Sequence, residues 1–333
     1  MDPVTRPSSL ADAWDLLPEV SRSFAFVTAY LARNPRTRLG DAVMVFYLVC
    51  RVLDTIEDSD LGSTEKRRMY DAFLAAIDRG DTGRLFEDPR ALTRNAGYVD
   101  LLQRTDAVVA SFLGLPEQAR ITIRRYAGEM ADGMHAFGAR TIVTFSDLED
   151  YCHPVAVVVG YGLTELFHGF GHTPAPDEER FRLARSFGLA LQKVNITRDY
   201  GQDHAAGRRF WPSALFERHG LDPVSVVRER RSTAALHALA EMVARIAPDA
   251  DGALRYLLGV PAAEVEVRMF CAVSLWLALA TLARVRANPD VFDPALPANA
   301  GSLKVSRADL AALVAFLEAR VGTTPLCAQA TPS

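Results

Sequence analysis

No two cysteines of this chain form a CxxC pair. The four it has (Cys50, Cys152, Cys271 and Cys327) are scattered, three of them inside apolar runs. That excludes a zinc ribbon or a disulfide scaffold and suits reduced core residues of an intracellular protein. No long basic run occurs and the net charge is −4, so nothing attracts nucleic acid in general. The N-terminus, MDPVTRPSSLADAW, lacks the basic-then-apolar order of a secretory signal. The most apolar run, 269-MFCAVSLWLALATLA-283 between Arg268 and Arg284, falls short of the roughly 20 residues that span a bilayer. It is therefore expected to be a buried core helix. Alternating strand patterns bounded by turns are scarce, and no linker, repeat or low-complexity tract divides the chain.

What remains reads almost wholly as helix, and the expected class is all-α. Helices are expected over about 11–33, 39–59, 64–79, 97–112, 116–138, 146–169, 178–205, 223–257, 261–285 and 305–320, broken at stretches such as NPRTRLG, GDTG and GFGHTPAPD. The segment 41-DAVMVFYLVCRVLD-54 is apolar nearly all round, which places it inside a large bundle able to hold a cavity between its helices. One domain is expected over residues 15–322, with a mobile N-terminus (1–14) and a disordered tail (323–333).

Two of the apolar helices carry acidic ladders. In 46-FYLVCRVLDTIEDSD-60, Asp54 and Asp58 stand four apart, with Glu57 between them and Arg51 one turn earlier. In 187-FGLALQKVNITRDYGQD-203, Asn195, Asp199 and Asp203 follow at intervals of four, with Arg198 beside them and Gln192 one turn before. Four-residue spacing stacks side chains on one helical face. One such pair alone is more often a solvated helix end with weak ion pairs. Two pairs, each continuous with apolar helix, point instead to hard divalent cations, which take oxygen ligands and share them with phosphate. Neighbouring arginines fit the same phosphates through the guanidinium fork. The pattern predicts a Mg2+-assisted diphosphate site with an apolar cavity for a hydrocarbon tail.

The runs 21-SRSF-24, 46-FYLVCRVLDTIEDS-59, 151-YCHPVAVVVGYGLTELF-167 and 191-LQKVNITRDYGQDHAAGRRFWP-212 resemble, in order and spacing, the squalene/phytoene synthase family, over roughly residues 15–320 and closest to its squalene synthases. The resemblance implies one isoprenoid-synthase helical bundle around a central apolar cavity. It implies a prenyltransferase that joins two farnesyl diphosphates head to head, through presqualene diphosphate, to squalene. Asp54 and Asp58 would bind Mg2+ with one diphosphate; Asn195, Asp199 and Asp203 would do so for the other. Ser21, Arg22 and Ser23 look like the family's diphosphate-binding segment, and Arg51, Arg198 and Arg208 like its phosphate-contacting arginines. Tyr47 and Tyr151 match tyrosines near the reacting carbons, Tyr151 resembling the candidate proton acceptor. Phe24, Val155 and Val159 are expected to line the cavity, and Gln192 to lie with the substrate-binding residues. Each match has a plainer counterpart: SRSF as a helix N-cap, the tyrosines as core residues, FWP as a hydrophobic stop.

Three departures stand against the pattern. Gln202 replaces a usual glutamate in the second ladder. Ser274 and Leu275, followed by Trp276, occupy the place of a usual Pro-Gln pair. The basic loop associated with NADPH is partly matched by 304-KVSR-307, where Lys304 and Arg307 remain and Ser306 stands for an arginine. Beyond these three, Pro154 and Val157 stand where the family commonly has Tyr and Gly, which implies a reshaped cavity. Alternatives thus stay open: transfer of one prenyl group to a small-molecule acceptor such as an aromatic, cyclisation, a non-reduced dimer, or, from another class, a non-catalytic isoprenoid-binding protein. No transmembrane anchor is expected after the last helix, so the protein is expected to be cytoplasmic, soluble or in peripheral contact with a membrane.

Overall fold

A computed structural model describes residues 8–33, 37–83, 85–138, 140–296 and 300–321. Among these residues there is no strand, and the chain is all-α as its patterning predicts. It divides into two compact units, one of Met1–Gly138 with Tyr161–Pro176, the other of Ala139–Gly160 with Asp177–Ser333. The first holds α1 (Ser8–Val20), α2 (Arg22–Leu31), α3 (Leu39–Glu57), α4 (Ser63–Arg79), α5 (Ala96–Gln103), α6 (Thr105–Leu113) and α7 (Glu117–Phe137). Next come α8 (Phe145–Cys152), a π turn at His153–Val157, and α9 (Val158–Gly169), inside which the division falls. The second unit continues with α10 (Glu178–Arg198), α11 (Tyr200–Ala205), α12 (Ser213–Arg218), α13 (Thr233–Ala244), α14 (Ala247–Leu258), α15 (Val265–Val285) and α16 (Arg307–Glu318).

In the first unit α3 is the axial element, packed by α1, α2, α4, α5, α6 and α7. Its residues from Leu39 to Phe46 are all buried, and Leu48, Val49, Val52, Leu53 and Ile56 continue the core. Each fully buried Leu, Ile or Val contributes roughly 1.5–3 kcal/mol, which is why so apolar a helix is stable only inside other helices. The expected helix at 11–33 is two helices. The chain breaks at Ser21, whose extended backbone (φ −160°, ψ 102°) lets its Oγ accept the Phe24 N–H at 3.2 Å and cap α2. Residues 8–14, assigned by the sequence reading to a mobile N-terminus, form the first turns of α1; residues 1–7, the tail 323–333 and Cys327 lie outside the described residues.

In the second unit α10 packs on α14, α15, α8 and the π turn. The π turn has a local cause and a packing cause. Pro154 has no N–H to give to the helical ladder, and Val158 N–H bonds back five residues to His153 O. Opposite it stands Gly188 of α10, where a Cβ would lie 2.8 Å from Ala156 O and 2.9 Å from Val157 Cα. Only glycine admits that approach. The most apolar run is part of a 21-residue helix, α15, long and apolar enough by length and composition to cross a membrane. Its packing on α10, α14 and α16 accounts for that character, with the run from Val267 to Val273 buried and Leu275, Ala278, Thr281 and Val285 continuing the buried face. The expected single helix at 223–257 begins only at Thr233 and is interrupted before Ala247. Cys50, Cys152 and Cys271 are free and buried, and burial pushes each thiol pKa upward.

Candidate functional site

On α3 the residues that escape burial are Tyr47, Arg51, Asp54 and Glu57. Asp58, exposed, caps the helix, its N–H bonding Asp54 O at 2.8 Å. Tyr47, Arg51, Asp54 and Asp58 fall on successive turns of one face. Arg51 Nη2 donates to Tyr47 Oη at 3.1 Å, and Nη1 pairs with Asp54 Oδ2 at 3.4 Å. The Arg51 Nε–H is buried without a hydrogen-bond partner. Desolvation, opposed by Arg51 and reinforced by Asp58 and Glu57, lifts the Asp54 carboxyl to a pKa of about 6. Glu57 turns to other work: Tyr70 Oη donates to its Oε2 at 2.6 Å. The Tyr47 ring stacks on Phe24 at 4.0 Å between centroids, and both rings are partly exposed. Ser21 is the cap described above, Ser23 is exposed, and the Arg22 side chain lies outside the described residues.

The second ladder spans a helix break rather than one continuous helix. Arg198 ends α10, Asp199 is its C-cap (φ −92°, ψ 6°), and α11 begins at Tyr200. The four-residue register survives nevertheless: Asp199 N–H bonds Asn195 O and Asp203 N–H bonds Asp199 O, both at 2.9 Å. Arg198 grips Asp199 through Nε and Nη2 at 2.7 and 2.5 Å. Arg208 holds Asp203 Oδ1 through the same two atoms at 3.0 and 2.9 Å. Asn195 is exposed; Gln192 and Gln202 are half-buried. The break is mounted on aromatic rings. Trp211 Nε1 donates to Ile196 O at 3.2 Å, and Tyr200, Trp211, Phe216 and Phe292 pack edge-on, tilted or stacked at centroid distances of 4.9–5.7 Å. The FWP run is thus more than a stop: its tryptophan caps the last turn of α10.

In the same unit Tyr151 stacks on Phe210 at 4.6 Å. Val155 and Val159, like Tyr151, are partly exposed, the first within the π turn and the second just beyond it. The departures acquire physical roles. Pro154 and Val157 are both buried in the π turn. Ser274 bonds its own helix at Phe270 O (2.8 Å), while Leu275 is fully buried in α15. Ser306 caps α16: its Oγ accepts Asp309 N–H at 3.1 Å and donates to Asp309 Oδ2 at 2.8 Å. Lys304 is exposed, and the Arg307 side chain lies outside the described residues.

Among the described residues no group of three or more His, Cys, Asp or Glu side chains is arranged to hold a metal ion. Asp54, Asp199 and Asp203 are each paired with an arginine. The donor set of each ladder still suits Mg2+, which needs one or two carboxylates and fills its other positions with water and phosphate oxygen. In the 304–307 loop, which the resemblance links to NADPH, Lys304 is the one charged side chain described, and the Ser306 hydroxyl is engaged as a cap.

Two features escaped the sequence reading. Tyr98 of α5 presents its ring to Arg51, 5.4 Å from centroid to Cζ. Lys193, fully buried one residue after Gln192, donates to Glu149 Oε1 and Asp249 Oδ2, both at 2.8 Å, and Arg185 also reaches Glu149. Lys193 joins α8, which carries Tyr151, to α10 and α14. Its place in the QK pair of the second ladder was the available signal; Tyr98 offered none.

A family model described as squalene/phytoene synthase matches residues 17–309. Squalene synthase of Schizosaccharomyces pombe is 35% identical over 295 residues, 86% of this chain and 62% of that protein. Squalene synthase of Dictyostelium discoideum is 31% identical over 315 residues, 92% of this chain and 70% of that one. The chain therefore spans somewhat less than two thirds of the first of these relatives. A solved ligand complex of TcSQS superposes with a TM-score of 0.80 at 30% identity, covering 93% of this chain and 86% of that one. A ligand complex of a dehydrosqualene synthase shares the fold, with a TM-score of 0.66 at 19% identity and coverage of 93% and 95%. With both aspartate ladders, their arginines and the stacked tyrosines set in a fold matched over nearly its whole length, the chain belongs to the squalene/phytoene synthase family.

Proposed function

We propose that the chain is a prenyltransferase that condenses two farnesyl diphosphates head to head, through presqualene diphosphate, to squalene. One observation carries the reading. A helix buried on its other faces leaves Tyr47, Arg51, Asp54 and Asp58 in a single partly open line, a set of polar groups that suits a diphosphate. The squalene synthases among its relatives support the substrate class.

Mg2+, held by Asp54 and Asp58 in one ladder and by Asn195, Asp199 and Asp203 in the other, would supply neutralisation of the diphosphate charge. Arg51 brings a buried N–H that still lacks an acceptor, and a phosphate oxygen satisfies it most strongly as negative charge develops on the leaving group. Arg198 and Arg208 do the same at the second ladder by exchanging their aspartates for phosphate. The stacked pairs Phe24–Tyr47 and Tyr151–Phe210 present ring faces that tolerate an allylic cation and exclude water. The Tyr151 hydroxyl is the candidate to accept the proton lost when the cyclopropane ring of presqualene diphosphate closes.

Incubation with farnesyl diphosphate, Mg2+ and NADPH tests the reading, with squalene and inorganic pyrophosphate as the expected products. A second reading, arrest at presqualene diphosphate or a non-reduced dimer, is favoured by the engagement of Ser306 as a cap where the family resemblance implies an arginine. It gives a dimer whose yield does not respond to NADPH. Turnover that needs an added acceptor supports transfer to that acceptor, and failure to turn over any prenyl diphosphate overturns all three.

A further inference from the structure

Arg51 is surrounded more completely than its own helix can explain. Tyr47 and Asp54, one turn away on α3, take two of its nitrogens, but Tyr98 belongs to α5, 47 positions later in the chain. Tyr98 is itself held at two points. Asn95 Oδ1 accepts the Tyr98 N–H at 3.2 Å and caps α5. Gly97 sets the helix start against the end of α1, where a Cβ would lie 2.5 Å from Glu19 O. A side chain at position 97 would push α5 off that carbonyl and carry the neighbouring ring with it. Glu19 is two residues before Ser21, so the same contact ties α5 to the start of the SRSF segment.

We infer that Tyr98, mounted by Asn95 and Gly97, is a positioning residue of the first diphosphate half-site, where its ring holds the Arg51 guanidinium in place for phosphate. The inference rests on the function proposed above and extends it to a residue outside both ladders. An arginine with a flexible stem loses rotamer freedom when it binds an anion, and a ring against its guanidinium removes part of that loss beforehand. Phenylalanine keeps the ring and leucine does not. The Tyr98 hydroxyl is expected to matter little; its pKa is raised chiefly by burial, so it stays a neutral phenol at working pH.

The test measures binding of inorganic pyrophosphate with Mg2+ by calorimetry, and KM and kcat for farnesyl diphosphate, in the full chain. Tyr98→Leu is expected to weaken pyrophosphate binding about 5-fold, from the typical strength of a half-buried cation–π contact, and to raise KM more than it lowers kcat. Tyr98→Phe is expected to restore both. In an Arg51→Met background the leucine substitution should have no further effect, because its target is gone. Equal binding in wild type and Tyr98→Leu overturns the inference, and so does the same loss in the Arg51→Met background. If Tyr98→Leu fails to fold, the comparison of Tyr98→Phe with Asn95→Ala still decides: full affinity in both overturns it. Wild-type chain that binds no pyrophosphate and turns over no prenyl diphosphate refutes the proposed function, and the inference falls with it.

Discussion

Replacing Lys193 with methionine keeps the buried stem and removes the charge. Lys193 is 2% exposed and lies 2.8 Å from two carboxylates, so the variant strands Glu149 and Asp249. Glu149 is 32% exposed and keeps Arg185 at 2.8 Å, whereas Asp249 is 13% exposed and Lys193 is its one ion pair among the described residues. The two carboxyl pKa values shift in opposite directions for that reason. Burial raises both, but hydrogen bonds from Lys193 and Arg185 overcome it at Glu149, whereas Asp249 is hydrogen-bonded by Lys193 alone and is raised further by the neighbouring Glu149 charge. Breaking a buried pair costs about 3–5 kcal/mol; with Glu149 still served, the lower end, about 3 kcal/mol, is expected, or roughly 4 °C in Tm. Urea unfolding followed by circular dichroism measures it. Asp249→Asn added to K193M should recover much of the loss, since it removes the stranded charge. The Lys193 pKa is raised above 10.5, so its stabilisation is fully present below 10.5 and disappears as pH rises through the raised value. The difference between wild type and K193M should therefore narrow in strong alkali. A loss under about 1 kcal/mol at pH 7, within the range of ordinary surface changes, refutes this account of the buried network.

Two further variants probe the ladders. Asp54→Asn should abolish pyrophosphate release yet leave the chain more stable than wild type. Because the folded carboxyl titrates near 6 against an unfolded value of 3.8, that advantage should grow between pH 3.8 and about 6 and stay level above; a variant less stable than wild type at pH 8 contradicts the burial argument. Trp211→Phe keeps an aromatic ring but loses the bond to Ile196 O, so it should cost about 1–2 kcal/mol in urea unfolding and weaken Mg2+-dependent pyrophosphate binding. Unchanged binding would separate the cap from the ladder.

Both ladders were legible because they are local. Helical geometry fixes which residues share a face at four-residue spacing, whatever surrounds the helix, so Asp54 over Asp58 and Asn195 over Asp199 over Asp203 follow from order in the chain. The apolar wrap of 41–54 equally announced a buried helix, and the scarcity of alternating patterns announced the all-α class.

Long-range packing decided the rest. Lys193 meets Glu149 and Asp249 across 44 and 56 positions, and Tyr98 meets Arg51 across 47; no periodicity within a helix encodes such partners. The break at Asp199 lies in the middle of an uninterrupted helical pattern, where the buried rings of Tyr200, Trp211, Phe216 and Phe292 pack about it. Pro154 in the sequence warned of an irregular turn, but its π form also depends on Gly188 letting α10 come close. The sequence by itself determined which acidic and basic side chains share a helical face. Tertiary structure decided which of them are held, and by what, because burial and partnership depend on distant segments meeting.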